Sequence, residues 1–243
     1  MHDIFNILFL LARPAAGKSE IIHYLKNLDD DERKLRFHIG KMHVIDDFPM
    51  LWTWFEEDDL LTKMSYPRLH TDNKGYFLHN YLWDLLIKRM ELEYTKYFRD
   101  SEKRNDHTVI FEFSRGKEHG GYKSAFAHFS EAILKKAAIL YVNVSWEESL
   151  RKNRKRFNPE KPDSILEHSL PDEKLARLYG ESDWNEISAP FSKKIQTGQS
   201  FVPFAAFENE DDITSGNVYE LGKRLEFVLN ELWVNYNPLI NKN

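Results

Sequence analysis

The chain has no cysteine among its 243 residues, so a disulfide framework and a thiolate metal site are both excluded. That composition fits a cytoplasmic protein, the location expected here. No stretch approaches the roughly 18 apolar residues a membrane helix needs, and no membrane partner is expected. The apolar run Ile4–Leu11 is short, contains Asn6 and follows Asp3. A secretory signal opens on basic residues and closes on a small-residue cleavage site, so this run reads as a buried strand. A basic excess is missing too: 34 Lys and Arg stand against 39 Asp and Glu, a net charge of −5. Proteins that grip nucleic acid through many phosphates carry a basic stripe. The one basic cluster here, Arg151–Arg156, is local, and no nucleic-acid partner is expected. The ten histidines form no H-E-x-x-H or other zinc spacing, and there is no G-x-S-x-G elbow, which disfavours metal hydrolase and serine hydrolase chemistry.

What is present is an alternation of apolar runs and amphipathic segments. "DIFNILFLL" (Asp3–Leu11), "LRFHIG" (Leu35–Gly40), "TVIFEF" (Thr108–Phe113), "AAILYVNV" (Ala137–Val144) and "FVPFAAF" (Phe201–Phe207) read as five strands. Near-continuous apolar strands suit a sheet covered on both faces. Between them, helical spacing marks Gly17–Leu28, Tyr76–Phe98, Lys123–Lys136, Trp146–Phe157, Asp172–Leu178 and Val218–Trp233. In the second of these, Tyr81 and Leu85 are expected on the buried stripe. The alternation predicts a three-layer α/β fold with a five-stranded, mainly parallel sheet and helices on both faces. There is no internal repeat and no Gly/Ser linker, so residues 1–243 are expected to form one domain. Residues 158–171 hold three prolines and resemble a mobile loop rather than a boundary.

The first strand runs into "ARPAAGKSE" (Ala12–Glu20). This is the phosphate-loop pattern G-x-x-x-x-G-K-[ST] with Ala12 at the first glycine. In such a loop, backbone amides wrap a phosphate at a helix N-terminus, the lysine reaches the β- and γ-phosphates, and the hydroxyl binds Mg²⁺. Gly17, Lys18 and Ser19 take those places; Arg13, Ala15, Ala16 and Glu20 are the neighbouring nucleotide-binding candidates. The strand before and the amphipathic helix after, with Ile21, Ile22 and Leu25, are the context the motif needs. ATP and Mg²⁺ are the expected cofactors. The other reading of the loop is an ordinary strand-to-helix turn stiffened by Pro14.

With three later stretches, the loop resembles the P-loop small-molecule kinases, which include nucleoside, nucleoside-monophosphate and sugar kinases. The likeness implies a P-loop NTPase fold with a helical lid. "HVIDDFPML" is similar to the D-x-F of uridine kinase-like and phosphoribulokinase-like enzymes. By that resemblance Asp46 would accept the proton of the substrate hydroxyl, with Asp47 beside it as a substrate contact. A solvated turn or a helix cap before Leu51 is the competing reading. "TVIFEFSRG" ends an apolar strand in Glu112, the Walker B position for Mg²⁺, and Arg115 would touch the acceptor or a phosphate; an ion pair between the two is the alternative. "SWEESLRKNRKRF" places Arg151 and Arg154 on one helical face, where nucleotide kinases carry a lid over the transferring phosphate. The competing reading is a basic helix end that complements the macrodipole.

The resemblance also places an acceptor-binding insertion at about 48–100 and the lid at about 146–184. The insertion is rich in aromatics, most of them read as core, with Arg68, His70 or His79 as polar contacts. Asn209, after the fifth strand, would lie against adenine. The expected partners are a nucleotide and a small-molecule acceptor, with the chain a monomer or homodimer. The expected activity is transfer of the ATP γ-phosphate to a nucleoside, nucleotide or similar metabolite. A nucleotide-dependent switch, or a degenerate kinase that only binds nucleotide, stays open; no N-K-x-D motif is present for a guanine-specific switch.

Overall fold

The computed structural model describes residues 3–99, 106–156 and 169–240. Its sheet has six strands rather than five: β1 (Ile7–Ala12), β2 (Lys41–Asp46), β3 (His107–Phe113), β4 (Ala137–Asn143), β5 (Lys194–Thr197) and β6 (Ser200–Glu208). They lie in the order β2-β3-β1-β4-β6-β5. All neighbours run parallel except the β5–β6 hairpin, which adds the unforeseen sixth strand. Its short member, "KIQT", buries alternate residues only, a signal too brief to stand out as a strand.

Side-chain alternation along β1 builds the three layers. Leu8, Leu10 and Ala12 pack with α1 (Lys18–Lys26), α2 (Asp30–Phe37) and the long C-terminal helix α11 (Val218–Ile240). Ile7, Phe9 and Leu11 pack on the other face with α4 (Tyr81–Arg99), α5 (Gly121–Ala127) and α6 (Glu131–Leu134). All six β1 residues are buried, and a buried Leu, Ile or Phe side chain is worth about 1.5–3 kcal/mol. The strand that leads into the phosphate loop is therefore firmly held.

Three expected elements move. "LRFHIG" is not a strand: Leu35–Phe37 end α2, and the strand begins at Lys41. Asp29 caps α2 by accepting from the Glu32 amide at 2.8 Å. Acids fill its first turn, Lys34 and Arg36 its last, the charge order a helix dipole favours. The expected Lys123–Lys136 helix is broken into α5 and α6, because Ser130 is extended between them while Phe129 drops into the core. In α4 the buried stripe is Leu82, Leu86, Ile87 and Met90; Tyr81 and Leu85 are 60% and 43% exposed. The stripe is offset by one residue from the one expected.

An unforeseen helix, α3 (Asp47–Lys63), follows β2 directly. Its apolar residues surround the axis: Trp54 enters a small core with Leu82, Trp83 and Leu86, while Phe48, Leu51, Trp52 and Phe55 line a cavity. Two apolar faces erase the single-stripe periodicity by which helices are read. The chain after α3 is pinned by Asp58, fully buried, which accepts from the Leu69, His70 and Thr71 amides and the Thr71 hydroxyl. Those bonds hold its carboxyl below the usual range despite burial.

The stretch expected as a lid contains α7 (Trp146–Arg156), α8 (Asp172–Tyr179) and α9 (Trp184–Ser188); residues 157–168, most of the proline-rich stretch, lie outside the described residues. A short α10 (Ile213–Gly216) precedes α11. The connection leaving β1 crosses to β2 on one side, and that leaving β3 crosses to β4 on the other. Adjacent strands whose connections part at their C-terminal ends leave a crevice there, the usual ligand position in open α/β sheets.

Candidate active site

The loop after β1 is held from outside, carbonyl by carbonyl. The Tyr122 hydroxyl donates to the Ala12 carbonyl at 2.9 Å, the Ser149 hydroxyl to that of Pro14 at 2.8 Å, and the Asn209 amide to that of Ala16 at 2.8 Å. In a trans peptide the N–H points opposite to the C=O, so the amides of Arg13, Ala15 and Gly17 point away from these three braces. The Ala15 and Gly17 amides find no acceptor among the described residues. Ala15 and Gly17 are both left-handed, with φ of 58° and 111°. Gly17 begins α1 with no side-chain cap, leaving that helix N-terminus open. Inward amides at an uncapped helix start form an anion cradle. A Cβ on Gly17 would meet Thr214 Oγ1 at 2.6 Å and Asn209 Nδ2 at 2.7 Å, so the glycine is required by space as well as by φ.

Charges converge on the cradle from β2 and β3. Asp46 pairs in register with Glu112 at the ends of these parallel strands. Burial, then the neighbouring Glu112 and Asp47 carboxylates, raise Asp46 to about 7, with the Phe48 amide and Lys18 opposing. Glu112 is likewise raised, burial being the largest cause, with the Lys18 ammonium pulling it down. Lys18 is buried and donates to Ser114 Oγ at 2.8 Å. Asp46 Oδ1 also accepts from the Phe48 amide at 2.9 Å and caps α3. The cap and the base readings therefore coexist, since the second carboxylate oxygen is not used in the cap. The Glu112–Arg115 ion pair does not form: Arg115 pairs with Asp47, donates to the Ser114 carbonyl at 2.7 Å and packs on the Trp83 and Phe113 rings. Losing one partner of a buried pair of this kind costs about 3–5 kcal/mol.

A cavity of about 220 Å³ lies over the loop, walled by Pro14–Ser19, Asp46, Glu112, Ser114 and Arg156. It adjoins a second of about 370 Å³; Phe48, Leu51, Trp83, Leu170 and Tyr179 line both. The second is aromatic, with Trp52, Phe55, Tyr76 and Phe77 in its walls and Lys174, Arg177 and His119 among its polar groups.

The structure thus brings together Ala15, Ala16, Gly17, Lys18, Ser19, Asp46, Asp47 and Glu112 around one cavity. Arg115 stands behind it through Asp47. Other expected residues lie elsewhere. Arg13 turns away to the carbonyls of Tyr179 and Gly180, the latter at 3.1 Å. Glu20 lines a separate open cavity beside His23, Tyr24 and Thr214. Asn209 is fully buried beneath the loop; its amide is used on Ala16 and Thr214 rather than offered to a base. Arg68 is bound within its own turn to Thr71 and to Asp59, at 2.9 and 2.7 Å. His70 stacks on Trp54 and His79 on Tyr81, and neither lines the aromatic cavity.

Arg151 and Arg154 occupy the outer face of α7. Arg151 binds Glu148 and Asp212, and Arg154 binds Asp172. The inner face is Ser149, Lys152, Asn153 and Arg156. The first three are buried, and Arg156 reaches the cavity close enough to pull on Glu112. Ser149, Asn153 and Arg156 share a helical face by their spacing, but only the packing of α7 makes that face the inward one.

The residues fit a Mg·nucleotide. Ser19 is exposed beside the cavity and Glu112 lies at its wall; two oxygen ligands are what a protein commonly gives Mg²⁺ when phosphates supply others. The crowded Asp46–Glu112 pair is the kind of negative charge a divalent cation relieves.

No protein-family model matches the chain, and no curated protein matches it in sequence. Among solved structures, the chain is similar to a sugar kinase from Janibacter sp. HTCC2649, 9% identical over 93% of this chain and 94% of that one, with a TM-score of 0.42. It is also similar to TT1252 from Thermus thermophilus, 15% identical over 96% and 99% of the two chains, TM-score 0.44. A retinol dehydratase solved with androsterone and inactive cofactor PAP aligns over 97% of this chain and 64% of that one, with 11% identity and a TM-score of 0.31. These superpositions are loose.

Proposed function

We propose that the protein is an ATP-dependent phosphotransferase acting on a small-molecule hydroxyl. The observation that carries this reading is an amide cradle that shares one cavity with the half-buried Asp46 carboxyl, with a second, aromatic cavity opening from the same space. Hydrolysis alone has no use for the second cavity.

In this reading the Ala15 and Gly17 amides and the Lys18 ammonium hold the β- and γ-phosphates, and Arg156 faces the transferring group from α7. Ser19 and Glu112 would hold Mg²⁺, which supplies charge neutralisation on the phosphate oxygens when bound. The acceptor hydroxyl sits at Asp46. As its oxygen forms a bond to the γ-phosphorus, its proton passes to Asp46 and the bond to the leaving ADP oxygen breaks. A carboxylate at the acceptor oxygen is what this step asks of a base, and a cation held by Glu112 would favour the ionised form of Asp46. Phosphoryl transfer needs little more from a protein than such positioning and charge.

The test is ATP consumption with and without a panel of hydroxyl acceptors, in the parent, Lys18→Ala and Asp46→Asn. Acceptor-dependent ADP release lost in Lys18→Ala, and cut at least about a hundredfold in Asp46→Asn with the Mg·ATP thermal shift retained, is the expected result. ADP release that ignores every acceptor would make the protein an NTPase. Absence of any Mg·ATP stabilisation would end the nucleotide reading.

A further inference from the structure

The aromatic cavity carries an ammonium with no carboxylate at ion-pair distance among the described residues and an imidazole with no hydrogen-bond partner. Lys174 Nζ lies 5.4 Å from the centre of the Phe55 ring and 5.1 Å from that of Tyr76. No carboxylate lies within ion-pair distance of it among the described residues; its nearest acceptor is the Lys74 carbonyl, at a long 3.5 Å. Burial lowers its pKa, with the more distant Asp72 carboxylate opposing. Gly75, left-handed at φ 74°, leaves the ammonium its room, since a Cβ there would stand 2.6 Å from Nζ. The neighbouring Arg177, stacked on Tyr76, is by contrast already paired with Glu118. The second group is His119, which lines the same cavity, stacks on Trp83 with centroids 3.8 Å apart, and has no hydrogen-bond partner at either ring nitrogen.

A half-buried ammonium between two rings gains from the ring faces but lacks the anion that desolvation makes valuable. Orphaned buried nitrogens cost about 1–3 kcal/mol until something pairs with them. Lys174 lines the acceptor-side cavity but not the one over the phosphate loop, so a ligand reaching both would present its anion away from Asp46. We infer that the acceptor is a planar aromatic or heteroaromatic alcohol bearing an anionic group, its ring among Phe55, Tyr76, Phe77 and Trp83, its anion on Lys174 and its hydroxyl toward Asp46. A free sugar, having no flat apolar face of that size and no charge, is disfavoured. The inference rests on the phosphotransferase reading only in taking this cavity as the acceptor's.

Binding can be measured without nucleotide, by calorimetry on the full chain with three probes: indole-3-acetate, planar and anionic; indole-3-ethanol, planar and neutral; and cyclohexylacetate, anionic but not planar. Indole-3-acetate should bind at least about tenfold more tightly than either of the others. Lys174→Met should remove that advantage over indole-3-ethanol while shifting indole-3-ethanol itself by less than about twofold. Lys174→Gln, with thermal melts of both variants, guards against a packing defect in either one. Equal affinity for the acetate and the ethanol, undiminished binding of the acetate in both variants, or equal binding of cyclohexylacetate would each overturn the inference. Acceptor-dependent ATP turnover with no preference among the probes sinks this inference alone. A Lys174-dependent preference without any Mg·ATP effect sinks the kinase reading and overturns the acceptor assignment with it, leaving only the ligand chemistry of this cavity.

Discussion

Replacing His119 by phenylalanine should flatten the acid side of the protein's stability curve. His119 is buried against Trp83, Tyr179 and the Arg115 guanidinium. Burial first, and Arg115 second, lower its pKa from 6.5 to about 3. The unfolded chain therefore takes up a proton near 6.5 that the folded chain refuses until about 3. Stability attributable to this ring is complete above the unfolded value and is lost as pH falls through that window, at a slope approaching 1.4 kcal/mol per pH unit. Integrated from about pH 7 to about pH 5, the ring costs the folded state about 2 kcal/mol. Asp46 slopes the other way: raised to about 7 in the folded state, it favours folding toward lower pH, but it contributes equally to both proteins. Urea unfolding of the parent and His119→Phe at the two pH values isolates the difference. Phenylalanine keeps the stack on Trp83, so a general packing loss would offset both pH values alike. Parallel stability curves would show that His119 is protonated in the folded protein and refute the burial argument.

Gly17→Ala should weaken Mg·ATP-dependent thermal stabilisation and lower stability by roughly 1–3 kcal/mol, the scale of a side chain forced into a left-handed position, with calorimetric melts as the check. Its Cβ must also displace Thr214 or Asn209, so nucleotide affinity should suffer beyond the stability loss. Arg156→Ala should reduce acceptor-dependent turnover by at least about tenfold, whereas Arg151→Ala should change it by less than about threefold, since its guanidinium is committed to Glu148 and Asp212. The reverse order in steady-state kinetics would mean that α7 presents its other face to the nucleotide.

β1, β3, β4 and β6 were legible because their signals are local: β1 is apolar at every position, and Gly17-Lys18-Ser19 follow it directly. Glu112 was legible as an acid at a strand end and Asp46 only as an acid beyond the expected second strand; their register against each other is a property of the sheet. α2 was missed because the apolar Leu35, Phe37 and Ile39 alternate like a strand, while the cap at Asp29 and the charge order identify a helix. α3 was hidden by its two apolar faces, one for the core and one for the cavity. Of the basic cluster, the sequence showed that it lies on a helix but not which side meets the loop. His119 and Lys174 carry no local signal, because only the tertiary packing of Trp83, Phe55 and Tyr76 deprives them of water.

The three braces on the phosphate loop bear on how the protein acquires its activity. Tyr122, Ser149 and Asn209 stand 110, 135 and 193 residues from the carbonyls they hold. Contacts of that separation form late and only when most of the chain is in place. A fragment ending before β4 would keep the whole Ala12–Glu20 motif yet have just one brace, and its loop would be free to turn carbonyls inward. In the proposed reading phosphate affinity is distributed: the motif supplies the amides, and the second half of the chain aims them. It follows that the entropy of ordering the loop is spent during folding, before nucleotide arrives, and that destabilising changes far along the chain, at the start of α7 or the end of β6, will register as weakened nucleotide binding.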